Sequence, residues 1–135
     1  MSTAASRTLA HWRIEPGVDV FDILTKAEPG TLHCHPTYNF GCVLDGRAQL
    51  ELGGRSYAQP EGTVVLLNAF EAHASTWLAD ESRYFVVYVG EEAWAKLLEG
   101  IGAPHTTRFS HPIVRDDILF YALKGLWSEL SKRPE

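Results

Sequence analysis

The chain has 135 residues, enough for one compact domain around a single core and too few for two. Apolar residues make up 45% and charged residues 21%, the composition of an ordinary soluble globular domain. Twelve basic against seventeen acidic residues give a formal net charge of −5, which speaks against a surface that itself grips a phosphate backbone. The opening MSTAASRTLA has no continuous apolar core of the secretory kind. No apolar run approaches the length of a membrane span, so a cytoplasmic location without membrane contact is expected.

Residues 1–17 read as an N-terminal arm: a frayed polar start, MSTAAS, then AHWRIEPG with Trp12 and a Pro-Gly turn. VDVFDILTKA, 18–27, alternates apolar and polar and is rich in β-branched and aromatic residues, which predicts a strand. After the turn EPG at 28–30, TLHCH resumes extended structure. TYNFGCVLDGRAQLELGGRSY reads as two hairpins, with strands 38–44, 47–52 and 55–58 turning at Asp45-Gly46 and Gly53-Gly54. TVVLLN, 63–68, is apolar without a break, so both its faces are covered. HASTWL, 73–78, and RYFVVYVG, 83–90, are two further strands. Short strands at roughly 8–12-residue spacing with turn signals between them predict an all-β barrel or sandwich over 18–114.

The period then changes. EEAWAKLLEG predicts a short helix at about 91–99, and 115–135 a longer C-terminal one. In the latter, Ile118, Leu119, Ala122, Leu123, Leu126, Trp127 and Leu130 form one broad stripe, with Asp116 and Asp117 in the first turn as the helix dipole favours. The stripe needs cover from the barrel or from a second copy, and a homodimer through this helix is expected.

The histidines carry the chemistry. In extended backbone His33 and His35 point one way and Cys34 the other. Cys34 and Cys42 read as reduced free thiols. His-x-His offers two imidazoles on one wall, close enough to share a small ion, although such pairs also arise as hydrogen-bonded core residues. His73, eleven residues after Gly62, follows a buried strand and the turn NAFEA. His33, His35 and His73 could converge in one pocket and there hold one divalent transition metal (zinc, nickel, iron or manganese), with solvent completing the shell. His11, His105 and His111 read as surface or loop residues.

His-x-His followed by Gly, and then Pro60-Glu61-Gly62 with Asn68 and His73, resembles the two motifs of the cupin barrel. At the position of that family's Glu this chain has Asn39, a poorer metal ligand. HCHPTYNFGCVLDGRAQLELGGRSYAQPEGTVVLLNAFEAHAS and the later RFSHPIVRDDILFYAL are similar, in order and spacing, to the N-terminal effector-binding domain of AraC-type transcriptional regulators, over residues from about 12 to 131. The resemblance implies a mainly β fold, a cupin double-stranded β-helix (jelly roll) followed by one short and one longer helix. It implies a small-molecule effector in the barrel, dimerisation by the helices after it, and DNA contact by a separate helix-turn-helix domain that this chain is expected to lack. The reading is therefore a sensor domain, either excised or stand-alone, with no direct nucleic-acid contact.

Within the barrel, His33, His35 and His73 would supply polar contacts and Tyr38, Phe40, Trp77 and Tyr84 the apolar wall. Trp12 would fold over the mouth, as the arm does in that family. The competing class is a stand-alone metal-binding cupin enzyme, dioxygenase- or isomerase-like. It suffers from the lack of an acid–base residue, since only Glu71 lies close in sequence to a converging histidine.

Overall fold

The computed structural model describes residues 6–133. The frayed start expected at MSTAAS lies, apart from Ser6, outside the described residues. These form β1 (Ser6–Glu15), β2 (Val18–Glu28), β3 (Thr37–Asp45), β4 (Arg47–Leu52), β5 (Arg55–Pro60), β6 (Val64–Leu67), β7 (His73–Gly90), α1 (Glu91–Gly100), β8 (Ile113–Val114) and α2 (Asp117–Leu130). The sheet is antiparallel in the order β1-β2-β7-β3-β6-β8, with β4 joined to β7 and β5 to β4. The architecture is the mainly β one expected, with two helices at the C-terminal end.

Four local expectations are corrected. The first of the two expected hairpins does not form: β3 and β4 do not pair with each other across Asp45-Gly46 but lie against different parts of β7. Residues 6–15 are a strand rather than a loose arm, because a Pro16-Gly17 turn folds them back onto β2 from Ser6↔Thr25 to Glu15↔Val18. The strands expected at 73–78 and 83–90 are one 18-residue strand, β7. Its first part pairs with β4, and its second with both β2 and β3. TLHCH is not a strand; it touches the sheet through a single bridge, His33↔His73.

Alternation along β3, β6 and β7 splits the interior in two. Tyr38, Cys42, Val64, Phe85, Val87 and Val89 face the helices and pack with Trp94, Leu98, Phe120 and Leu123. Leu50, Val65 and Leu67 face the other way and pack with Leu52, Tyr57 and Tyr84. α2 is covered by its own chain, through Phe120, Leu123 and Leu130, with Leu119 and Trp127 partly buried. The expected stripe is rotated: Ile118 is 86% exposed and Leu126 is also exposed, while Phe120, outside that stripe, is buried. Aromatic packing against the sheet outweighs the count of aliphatic residues around the helix.

A polar clamp ties α2 to the sheet. Asp22 on β2, 3% exposed, accepts two hydrogen bonds from Arg83 on β7, each 2.8 Å, and one of 3.0 Å from the indole of Trp127. The Arg83 guanidinium also stands 5.5 Å from the Trp127 ring. Burial alone pushes the Asp22 carboxyl up. The bonds from Arg83 and Trp127 and the Arg83 charge outweigh burial and hold it below the usual carboxylate range. Arg83→Ala would leave that carboxylate buried without its cation. The expected loss in urea unfolding is about 2–3 kcal/mol, below the full cost of breaking a buried pair because Arg83 is partly solvated. Because the folded carboxyl is held low, its contribution is present above the ordinary pKa near 3.8 and fades as pH falls through the folded value. Asp22→Asn should flatten the acid limb of stability against pH; an unchanged acid limb would contradict the clamp.

Candidate ligand and metal site

Residues from β2, β3, β6, β7 and the 29–35 loop line an open-mouthed pocket of about 360 Å³. Its lining includes His33, His35, His73, Asn39, Trp77, Tyr84, Tyr88 and Glu28. The single bridge sets the histidines. His33 and His73 exchange backbone hydrogen bonds, 2.9 Å each way, so their side chains leave on the same face. His35 is fixed from the other side, its carbonyl accepting from the Phe70 N–H at 2.7 Å. Phe70 has φ 62°, the left-handed region that an aromatic residue rarely enters. The turn 68–71 is held there by Asn68, which donates backbone and side-chain N–H groups to the Glu71 carboxylate at 3.2 Å each.

The three rings form one cluster, with centroids 4.4 Å apart for His33–His73, 4.8 Å for His33–His35 and 5.5 Å for His35–His73. Tyr88 adds a fourth ring 5.3 Å from His35. Two backbone carbonyls orient the imidazoles: Nδ1 of His33 donates to Thr31 O at 2.6 Å, and Nδ1 of His73 to Glu71 O at 2.9 Å. A carbonyl only accepts, so the hydrogen sits on Nδ1 and the Nε2 lone pair is left for the pocket in the neutral ring. Burial, then the charges of the neighbouring histidines, lowers the pKa of His35. Burial also lowers His73, and the bond to Glu71 only partly offsets it. Both are therefore neutral near pH 7. Burial raises Tyr84 and Tyr88, so both keep their hydroxyl protons.

One donor atom from each histidine lies within 4.8 Å of the others, so the cluster could hold a metal ion. Metal–nitrogen bonds of about 2.0–2.1 Å put tetrahedral donors roughly 3.3 Å apart, so a bound ion would draw the rings inward by small rotations. The donor set fits: three imidazoles, two of them with tautomers fixed by backbone carbonyls. Asn39 stands on the same wall, but its carbonyl oxygen already accepts from Thr37 at 2.7 Å. It does not replace the missing carboxylate.

His33, His35, His73, Trp77 and Tyr84 are thus brought together as expected from the sequence. Tyr38, Phe40 and Trp12 are not. Tyr38 stacks on Trp94 at 4.5 Å, on the helix side of β3. Phe40 is on that side too and lines a separate cleft against α1. Trp12 is buried in the same helix-side core. The reason is parity: in β3 the pocket face carries Asn39, and a one-residue shift in assigning faces moves every neighbour to the opposite side. Among the lining residues that the sequence does not mark are Glu28 and Tyr88. Glu28 opens the turn EPG. Tyr88 was hidden in the apolar run RYFVVYVG, where alternation with Tyr84 and Val86 was the available signal. The acid that sequence proximity did suggest, Glu71, spends its carboxylate on the Asn68 turn.

Residues 29–135 match the AraC-like ligand binding domain family. The chain belongs to that family. No curated protein matches it. Solved structures resemble it in fold. The Schizosaccharomyces pombe Cnp3 cupin domain superposes with a TM-score of 0.60 at 9% identity, covering 76% of this chain and 74% of that one. A cupin 2 conserved barrel domain protein from Leptotrichia buccalis gives 0.53 at 20% identity, over 62% of this chain and 39% of its own. The Clostridium difficile EutQ protein gives 0.51 at 15%, over 63% and 66%. The AraC-like ligand binding domain is therefore built here on a cupin fold. No helix among the described residues is long and apolar enough to cross a membrane.

Proposed function

We propose that this AraC-like domain is the effector-binding and dimerisation part of a transcriptional regulator, and that its effector sits in the histidine pocket. The observation that carries the reading is the convergence of His33, His35 and His73 on one polar wall of a pocket, in a chain of this family. A divalent ion held by these histidines (zinc, nickel, iron or manganese) would supply a Lewis acid that draws in an oxygen of the effector. With or without it, the Nε2 lone pairs and the Tyr84 and Tyr88 hydroxyls orient a small oxygen-bearing molecule.

The clamp supports a sensor. Ile23 and Tyr84 line the pocket and are chain neighbours of Asp22 and Arg83, which hold Trp127 of α2. An effector that fits one setting of Ile23 and Tyr84 better than another shifts α2 by that difference in affinity. Thermal unfolding with zinc, nickel and manganese ions tests the site against a His33→Ala, His73→Ala double variant. Saturating ion at a hundredfold over Kd should stabilise the parent by about 3 kcal/mol and the variant far less. Equal shifts in both proteins, or none in either, would remove the metal from this account.

The dimer surface we assign to the face of α2 that its own barrel leaves open, around Ile118, Tyr121 and Leu126. Leu123 and Leu130 are unsuitable for testing it because they are buried in the protomer. Ile118→Glu with Tyr121→Glu should halve the mass seen by sedimentation while leaving the thermal midpoint of the protomer nearly unchanged. A parent that sediments as a monomer, or a variant that stays dimeric, would refute the assignment.

A further inference from the structure

The far end of the pocket has a different chemistry from the histidine end. β2 and β7 pair without interruption from Val18↔Val89 to Lys26↔Glu81, and the register then jumps to Glu28↔Trp77. Extra residues on β7 at this irregularity re-aim the local side chains. Glu28 ends directly across from Trp77, and both line the pocket. Tyr84 packs on Trp77 with centroids 5.5 Å apart and planes inclined at 60°, so two aromatic surfaces stand beside the carboxylate. Glu28 takes no part in the ion pairs formed among the described residues. Lys26, two residues earlier, is exposed and stands opposite Glu81 in the strand register rather than opposite Trp77.

A carboxylate flanked by Trp and Tyr faces is an arrangement suited to a cation. The negative ring faces attract an ammonium group within about 6 Å, and the partly desolvated carboxylate adds a full charge. The opposite pole, the histidine wall, takes oxygen. We propose that the effector is a small molecule with an alkylated ammonium group lodged between Glu28, Trp77 and Tyr84 and, at His33, His35 and His73, either a hydroxyl that donates to an Nε2 lone pair or a carboxylate held through a metal ion bound there. The inference rests on the histidine pocket being the effector site, and it adds the charge and shape of the second pole.

Isosteric probes isolate that pole. Choline and 3,3-dimethylbutan-1-ol differ only by nitrogen for carbon at the quaternary centre, as do trimethylammonioacetate and 3,3-dimethylbutyrate. Calorimetric titration of all four into the purified protein should show the cationic member of each pair binding at least about tenfold tighter, a gap of about 1.4 kcal/mol. Glu28→Gln should close most of the gap, and Trp77→Leu part of it. Glu28 is only half-buried and has no ion pair, so Glu28→Gln should keep the parent's thermal midpoint. The His33→Ala, His73→Ala variant should weaken both members of a pair alike. Equal affinities within each pair, a gap that survives Glu28→Gln, or no binding by any of the four would overturn the cation pole. Members with carbon at the quaternary centre that bind, show no gap and are lost in the histidine variant would overturn it while leaving the pocket reading intact.

Discussion

The structure depends on β7 running unbroken from His73 to Gly90. One end of this strand pairs with β4 and the other with β2 and β3, so it stitches the sheet together. Its side chains then have only two places to go. His73, Ser75 and Trp77, and further on Tyr84, Val86 and Tyr88, reach the pocket. Phe85, Val87 and Val89 reach the helices. The inward set changes from odd to even positions across 78–83, where the strand exchanges its partners. That change brings the histidine end and the aromatic end of the pocket onto one strand.

The second interior is apolar and rich in aromatic rings, and the helices pack on it. Tyr38, Trp94 and Phe109 pack as a connected set, with Tyr38–Trp94 at 4.5 Å and Trp94–Phe109 at 5.3 Å. The buried indole nitrogens of Trp12 and Trp94 find no hydrogen-bond partner there, a cost the aromatic contacts offset. Two polar connections run from this side toward the pocket: the Asp22, Arg83 and Trp127 clamp, and Asn68, whose side chain exchanges hydrogen bonds with the Phe109 backbone at 3.0 and 2.8 Å. Pocket and helix side are thus separate in solvation yet share adjacent residues of β2 and β7.

Much of this was legible in the chain. The Gly53-Gly54 pair marks the β4–β5 hairpin, with φ 60° and 76°, whereas Asp45-Gly46, with Gly46 at φ 87°, only redirects the chain between two strands that do not pair with each other. Alternation located most strands, and His-x-His with His73 located the cluster. What was not legible depends on long-range pairing. Nothing local in ADES, 79–82, says that the strand continues through a charged stretch; its partners across the sheet decide that. The face of β3 depends on the path through Pro36, so Tyr38 and Phe40 were assigned to the wrong side. Glu28 becomes a pocket residue only through the register jump opposite Trp77.

The central claim is that backbone carbonyls of Thr31 and Glu71 lock His33 and His73 so that Nε2 addresses the pocket. Two-bond proton–nitrogen correlation spectra of the histidine side chains, recorded near neutral pH before and after adding zinc ions, test it most directly. The account predicts the Nδ1–H tautomer for His33 and His73, with the Nε2 signals of His33, His35 and His73 moving together on addition and those of His11, His105 and His111 staying put. An Nε2–H tautomer at His33 and His73, or a perturbation spread over the surface histidines instead, would contradict it.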